Sequence, residues 1–219
     1  GPYLSGKTSL LESILFAAGA VTRKGTIKEG NTVSDSSAEA QKRQMSVELS
    51  VANIDYLDDQ WAFIDCPGSI ELSQEAMNAL MVVDIAIVVC EPDASKALAV
   101  SPLLIFLESN AIPHVIFINK MDRTGADFHR VVEQLRDKLD VDAIPMQLPI
   151  GKEDHLEGII DLVAMKAVYF DGDNGEDIRE EEIPEGLKEQ AQEQRHAMLE
   201  SLPMYSDSLM EKLLSEEAI

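Results

Sequence analysis

The first nine residues, GPYLSGKTS, have the spacing of a phosphate-binding loop: a glycine, four variable residues, then Gly-Lys-Thr. Gly1 and Gly6 permit a backbone geometry in which main-chain N–H groups point at phosphate oxygens. Lys7 would then reach the β- and γ-phosphates, and the Thr8 hydroxyl would ligate Mg²⁺. Ser9 opens the helix that follows, whose positive dipole end favours bound phosphate. The alternative interpretation is a glycine-bounded turn capped by Thr8.

A second motif, DCPG at residues 65–68, follows an apolar run. Asp65 ends that run, at the expected place for a carboxylate that assists Mg²⁺ binding. It would do so through a bound water or through a hydrogen bond to a residue that ligates the metal. The Gly68 amide could meet a γ-phosphate. The alternative is an ordinary exit from a strand through proline and glycine.

A third motif, NKMD at residues 119–122, follows another apolar run. Asp122 can accept hydrogen bonds from N1–H and the exocyclic amine of guanine, a donor pair that adenine lacks. A carboxylate left unpaired costs about 1–3 kcal/mol, so such a site discriminates strongly. Asn119 would hold the base pocket together and Lys120 would lie along the base. The alternative is a polar turn after a strand.

These three motifs occur in the order that a guanine-nucleotide P-loop domain requires. An ATP-using P-loop enzyme is the competing enzymatic interpretation, and Asn119 and Asp122 argue against it.

Hydrophobic periodicity predicts the elements that position the motifs. Residues 46–56 and 61–65 read as an antiparallel hairpin, and the polar stretch 21–44 reads as a long functional loop. Apolar strands at 84–91 and 114–120, between helical patterns, predict a mostly parallel sheet covered on both faces. The helical patterns lie at residues 10–20, 71–82, 94–109 and 124–139.

Composition excludes several classes of protein. The formal charge of −22 argues against nucleic-acid coating and sequence-specific DNA binding, and no run of about 18 apolar residues suggests a membrane span. Hydrophobic residues make up 45% of the 219 residues, which suffices for a full core. Two cysteines, Cys66 and Cys90, do not form a disulfide framework, so we expect a reducing, cytoplasmic location.

The final third differs in charge, because residues 151–219 carry 19 acidic and 6 basic side chains. This shift, with turn signals in IPMQLPIG (144–151), predicts a division into 1–144 and 145–219. Within the acidic part, the pattern predicts strands over 158–170, a turn-rich connection over 171–177, and helices over 184–202 and 206–218.

Together the sequence resembles the GTP-binding domain of elongation factor G and its paralogues, including ribosomal-protection proteins. The stretches that carry the resemblance are GPYLSGKTSLLESILFAAGA, the glycine spacing in KGTIKEG, DCPG, INKMDRTGADF and MQLPIGKEDHLEGIIDLVAMKA. In this family the last stretch begins an inserted subdomain. The resemblance implies an α/β fold, a three-layer α/β/α P-loop NTPase domain with an inserted α+β subdomain, that uses GTP/GDP and Mg²⁺ on the ribosome.

The resemblance also implies which residues form the site. Those expected to contact nucleotide are Gly1, Leu4, Ser5, Gly6, Lys7, Thr8, Ser9, Asp65, Gly68, Asn119, Lys120 and Asp122. Those expected around the metal are Thr8, Ser46 and Asp65, and those expected to act in hydrolysis are Lys7, Gly68 and Ser69. The family has a strand before the phosphate loop and a guanine-contacting loop after the inserted subdomain, so we expect this chain to be an internal segment.

Three positions depart from the family pattern. Ser69 stands where the family has a histidine that orients the attacking water, and loss of such a group removes about 10²–10⁴ in rate. Leu4 replaces an aspartate thought to place a monovalent cation. Arg43 to Val47 replaces Arg-Gly-Ile-Thr-Ile, although Ser46 keeps a hydroxyl. We therefore expect slow GTP hydrolysis. The alternative is a GTP-binding regulatory, ribosome-protection or ribosome-rescue protein with little or no turnover.

An acidic face is predicted on the helix over 184–202, because Glu185, Glu189 and Glu193 recur every four residues. The simple interpretation is a solvated face. The family's inserted subdomain contacts a basic domain of the ribosomal stalk protein, so the resemblance implies that this face binds the stalk and that the segment is monomeric.

Overall fold

Alternating apolar and amphipathic segments form the helices and strands in a computed structural model of the chain. It describes residues 1–93, 96, 98–139, 143–172, 175–201 and 207–215. The start of the predicted helix 94–109, part of the turn at 171–177 and the distal ends of the two final predicted helices lie outside the described residues. By contact density the chain divides into two units, Gly1–Lys120 and Met121–Ile219. The division into 1–144 and 145–219 stays a prediction.

The first unit carries the phosphate loop and the elements that follow it. Two single turns of 3₁₀ helix, Ile70–Leu72 and Leu98–Val100, precede its third and fourth helices. In chain order its helices and strands are α1 (Lys7–Ala17), α2 (Ala38–Arg43), β1 (Ser50–Tyr56), β2 (Asp59–Asp65), α3 (Ser73–Leu80), β3 (Ala86–Cys90), α4 (Ser101–Ser109) and β4 (His114–Ile118).

The predicted hairpin is confirmed, since β1 and β2 pair antiparallel from Ser50–Asp65 to Tyr56–Asp59. The two turn residues, Leu57 and Asp58, have φ values of 52° and 66°. A two-residue connection with both φ values positive matches the right-handed twist of the strands, which explains the tight reversal.

Strands β3 and β4 pair in parallel, from Ala86–His114 to Cys90–Ile118, and α4 connects them. Among the described residues this is the only parallel pair, so the expected mostly parallel sheet is not found as one sheet. A groove of about 1370 Å³ borders both β2 and β3, lined by Ile64, Ile87 and Val88 among others. The expectation that both faces are covered is wrong for β3, because Ile87 is 42% exposed.

The second unit is an antiparallel sheet with helices. Its sheet has the order β5-β6-β7-β8, and its core joins residues of β5, β6 and β7 to Ala191 and Met198 of the long helix α6. The elements are α5 (Phe128–Leu139), β5 (Gln147–Ile150), β6 (Gly158–Asp161), β7 (Lys166–Asp171), β8 (Asp177–Glu181), α6 (Glu185–Ser201) and α7 (Asp207–Leu214).

Two strands of this sheet differ from the sequence prediction. The stretch expected to turn, IPMQLPIG, contains β5, and Pro149 is tolerated there because β5 is an edge strand. The opposite edge is β8, whose five residues are all exposed and mostly charged. Its sequence therefore lacks the alternation of apolar and polar residues that predicts a strand. There Arg179 lies over the Tyr169 ring at 4.6 Å and donates to Asp171 at 2.9 Å.

Glu185, Glu189 and Glu193 are all exposed on α6, which confirms the predicted acidic face. Glu185 also pairs with Lys188 at 2.7 Å. Within the described residues, no helix combines the length and apolar character that a membrane crossing requires.

Candidate functional site

The phosphate loop leads directly into α1. Ser5 N donates to the Pro2 carbonyl at 3.2 Å, and Gly6 then takes a φ of 100° before the helix begins at Lys7. Among the described residues no side chain caps this helix start. Its first N–H groups therefore remain available to an anion, and the helix dipole adds to their attraction.

Residues at the end of β4 fix the loop's shape. Asn119 Nδ2 donates to the Ser5 carbonyl at 2.9 Å, and Lys120 Nζ donates to the Leu4 carbonyl. A Cβ on Gly6 would collide with the Asn119 side-chain amide. Asn119 and Lys120, the first two residues of the third motif, thus contact the phosphate loop within the first unit. Glycine is required at position 6 by both φ and space.

The metal candidates Thr8, Ser46 and Asp65 also meet. Thr8 Oγ1 donates to Asp65 Oδ2 at 2.7 Å, and the Ser46 hydroxyl lies 3.2 Å from the same Thr8 oxygen. Thr8 and Asp65 are both buried. Two hydroxyls and a carboxylate present oxygen atoms only, which is the donor chemistry that Mg²⁺ prefers while keeping several waters.

Lys7 lies beside this oxygen cluster with its Nζ donating to the Pro2 carbonyl at 3.1 Å. Burial lowers the pKa of Lys7, and the charge of Asp65 opposes that shift. A Cβ on Gly68 would collide with Lys7 Nζ and with the Pro2 carbonyl, so the second motif packs directly on the first. The arrangement places a half-buried cation beside open N–H groups, as phosphate binding requires.

The remaining predicted site residues have simpler surroundings. Ser9 lies in the first turn of α1, and Gly1 packs against the Val89 carbonyl so closely that a Cβ would not fit. Ser69 precedes the 3₁₀ helix Ile70–Leu72 and is partly exposed. Asp122 is exposed in a turn at the start of the second unit, so its pairing with guanine stays a prediction.

Sequence reasoning missed Glu12, a carboxylate that is 1% exposed in α1. Its Oε2 accepts from Gly25 N at 2.9 Å and its Oε1 accepts from Val33 N at 2.5 Å. It therefore anchors both ends of the loop 25–33. A signal existed in the sequence, because Thr8, Leu11, Glu12 and Leu15 share the buried helical face and a charge on such a face needs partners.

Asp35 was missed as well, although it is only 6% exposed and its Oδ2 has no hydrogen-bond partner among the described residues. Burial raises the pKa of Asp35, while a hydrogen bond from Ser46 opposes the shift, and Asp65 and Lys7 lie near enough to act on it. An orphaned buried carboxylate oxygen beside Thr8 and Asp65 adds to the fit with a hydrated cation. No sequence motif marks this residue.

The cluster of Thr8, Ser46 and Asp65 consists of oxygen donors and contains no histidine or cysteine. Groups of three or more His, Cys, Asp or Glu residues able to hold a metal are absent from the part of the chain that the structure describes. Cys66 and Cys90 are both free, and burial raises the pKa of Cys90 to about 11. The oxygen donors of Thr8, Ser46 and Asp65 suit a cation whose remaining ligands are waters and phosphate oxygens.

Comparisons with known proteins agree with this geometry. Residues 1–214 match the family described as the elongation factor Tu GTP binding domain. The chain is 49% identical over 217 residues to an elongation factor G-like protein of a Synechocystis species and 40% identical over 220 residues to elongation factor G of Rhodopirellula baltica. These matches cover 99% and 98% of this chain but only 32% and 31% of the relatives, so the chain spans about a third of their length.

A crystal structure of a protein from Thermus thermophilus superimposes with a TM-score of 0.87 at 29% identity, covering 98% of this chain and 32% of that one. With the family match, this confirms the P-loop GTPase α/β fold expected from the motifs.

We predict that Gly6→Ala weakens nucleotide binding by at least about ten-fold, because the added Cβ displaces Asn119 from the Ser5 carbonyl. Titration with a fluorescent GDP analogue measures this. The matched control is Gly19→Ala, since Gly19 has a φ of 71° but open space around it. The control should lose only about 1–2 kcal/mol of unfolding free energy for its backbone strain. Equal loss of binding in both variants would contradict the prediction.

We also predict that Glu12→Gln lowers the unfolding free energy by about 1–3 kcal/mol. The amide oxygen can accept from only one of the two N–H donors, and its NH₂ group faces the other. Urea denaturation measures the loss, and hydrogen exchange should quicken at Gly25 or Val33. Glu39→Gln is the control, because Glu39 is 60% exposed and its pair with Arg43 is worth little.

Proposed function

Because the chain belongs to the elongation factor Tu GTP-binding domain family, we propose that it is the nucleotide-dependent switch of an elongation factor G-like protein. In this proposal it binds GTP and GDP with Mg²⁺ and hydrolyses GTP slowly on the ribosome. The observation that carries the proposal is the junction of Thr8, Ser46 and Asp65 beside the phosphate loop. This junction couples the loop to the segment that contains Ser46.

Each residue of the junction has a role in holding the nucleotide. Thr8 and Ser46 would offer their hydroxyl oxygens to Mg²⁺, and Asp65 would accept a hydrogen bond from a water on the metal. Mg²⁺, when bound, neutralises phosphate charge. Lys7 would place its ammonium on the β- and γ-phosphate oxygens, and the Gly68 N–H would donate to the γ-phosphate. Loss of that phosphate would release residues 21–47 and 66–82.

Weak hydrolysis is proposed from two side chains. Ser69 is too short to reach and orient a water as an imidazole would, and its hydroxyl cannot carry a positive charge near pH 7. Leu4 has a φ of 60° with a side chain that is 56% exposed, and a hydrocarbon cannot help to place a cation. Relative to the family pattern, the proposed nucleotide-binding residues are therefore retained, whereas two residues proposed to assist hydrolysis are replaced.

A second candidate is a GTP-binding regulatory or ribosome-rescue protein with little or no turnover, which the same two residues favour. The candidates differ in whether bound GTP survives for hours on the ribosome. The family description names a GTP binding domain, which weighs against the ATP-using enzyme.

The acidic face of Glu185, Glu189 and Glu193 supports a proposed contact with the basic domain of the ribosomal stalk protein. A cluster of exposed charges of one sign raises the association rate with a partner of opposite charge, and this rate falls as salt is added. In this proposal the segment works in the cytoplasm. It does so as a monomer.

We predict that Ser69→His raises single-turnover GTP hydrolysis with ribosomes by about 10²–10⁴-fold. Ser69 is partly exposed, so the position has room for an imidazole. Ser69→Ala is the control and should hydrolyse GTP as slowly as the parent. A parent rate equal to that of an ordinary elongation factor G, or no gain in the histidine variant, would refute the proposed slow step.

We predict that Asp122→Asn changes base selectivity without changing phosphate contacts. The asparagine amide can donate to the 2-carbonyl of xanthine but meets the 2-amine of guanine donor to donor. Affinity for GDP should fall by about ten-fold or more and affinity for xanthosine diphosphate should rise. Competition assays measure both, with ADP as a third nucleotide. Unaltered preference would show that Asp122 does not contact the base.

A further inference from the structure

Glu91 follows the last residue of β3 and lies between two lysines. Its Oε1 is 2.7 Å from Lys120 Nζ, and its Oε2 pairs with Lys96. The Glu91 side chain is 11% exposed and that of Lys120 is 20% exposed, whereas Lys96 is 56% exposed. The Glu91–Lys120 pair is therefore the better shielded of the two.

Lys120 also donates through the same Nζ to the Leu4 carbonyl. Both Leu4 and Lys120 have a φ of 60°, a left-handed conformation that is unfavourable for residues with a Cβ. Two strained residues are thus joined by one ammonium group, which also donates to the Glu91 carboxylate. Such strain persists only where surrounding contacts maintain it.

We propose that Glu91 is a positioning residue of the nucleotide site. By fixing Lys120 Nζ against the Leu4 carbonyl, it maintains the shape of the loop residues 4–6 and keeps Lys120 in place for a bound nucleotide. The inference rests on the proposed binding of guanine nucleotides. Its kinetic consequence is slow release, because the loop and Lys120 are already arranged when the nucleotide is present.

The charge state of Glu91 supports this role. Burial by itself raises the pKa of its carboxyl, but hydrogen bonds and charges from Lys120 and Lys96 outweigh burial and lower the pKa. Glu91 is therefore ionised at neutral pH. A charge-assisted hydrogen bond is about twice as strong as a neutral one, so removing the charge should loosen Lys120.

The nearest alternative is an ion pair that only stabilises the fold. Glu91→Gln separates the two interpretations, since it keeps the shape and removes the charge. We expect release of a fluorescent GDP analogue, chased with excess GDP in Mg²⁺, to quicken by about ten-fold. The urea midpoint of the nucleotide-free protein should change little. Lys96→Met is the control, because it removes a different ion-pair partner of Glu91, and it should release nucleotide like the parent.

The Lys120→Met background completes the experiment, because it removes the group through which Glu91 is proposed to act. In that background Glu91→Gln should have no further effect on release. Unchanged release in Glu91→Gln alone, or an equal acceleration with and without Lys120, would overturn the inference while leaving the proposed function intact. A parent chain that does not bind GDP would overturn both.

Discussion

The hydrogen bond from Thr8 to Asp65 joins two buried polar side chains that are 57 residues apart. The bond offsets the cost of their burial, because a hydroxyl or carboxylate buried without a partner is destabilising. The bond fixes the start of α1 against the end of β2. The Ser46 hydroxyl lies near the same Thr8 oxygen. The segment between α2 and β1, the helix α1 and the β1–β2 hairpin are therefore all held at Thr8.

In the proposed function, nucleotide binding and nucleotide hydrolysis depend on different residues of this chain. The phosphate loop is shaped by main-chain groups, with Ser5, Gly6 and the Leu4 carbonyl held by residues after β4. Because Leu4 is 56% exposed and the contact to it is made by its main-chain carbonyl, its replacement need not disturb binding. Hydrolysis in this class depends on placing a water, which requires one suitable side chain near Gly68. A family member can therefore lose catalytic power while its fold and ligand remain the same.

Much of the site could be predicted from the sequence, because its three motifs are local and each follows its expected element. The spacing of Gly6, Lys7 and Thr8 fixes their relation within one turn, and the hairpin follows from alternation. Glu12 and Asp35 could not be predicted with the same ease. The helical pattern shows that Glu12 needs partners but does not identify them, and no short pattern marks Asp35. β5 and β8 were missed because a proline and a run of charges conceal edge strands.

Both edge strands of the four-stranded sheet in the second unit are unfavourable for pairing with a strand of another copy. At β5, Pro149 has no N–H to offer, and β8 displays Asp177, Glu180 and Glu181 with a single arginine. If two copies aligned along β8, carboxylates would be set against carboxylates, and along β5 one rung of the ladder would be missing. The sheet is therefore a poor template for fibril growth.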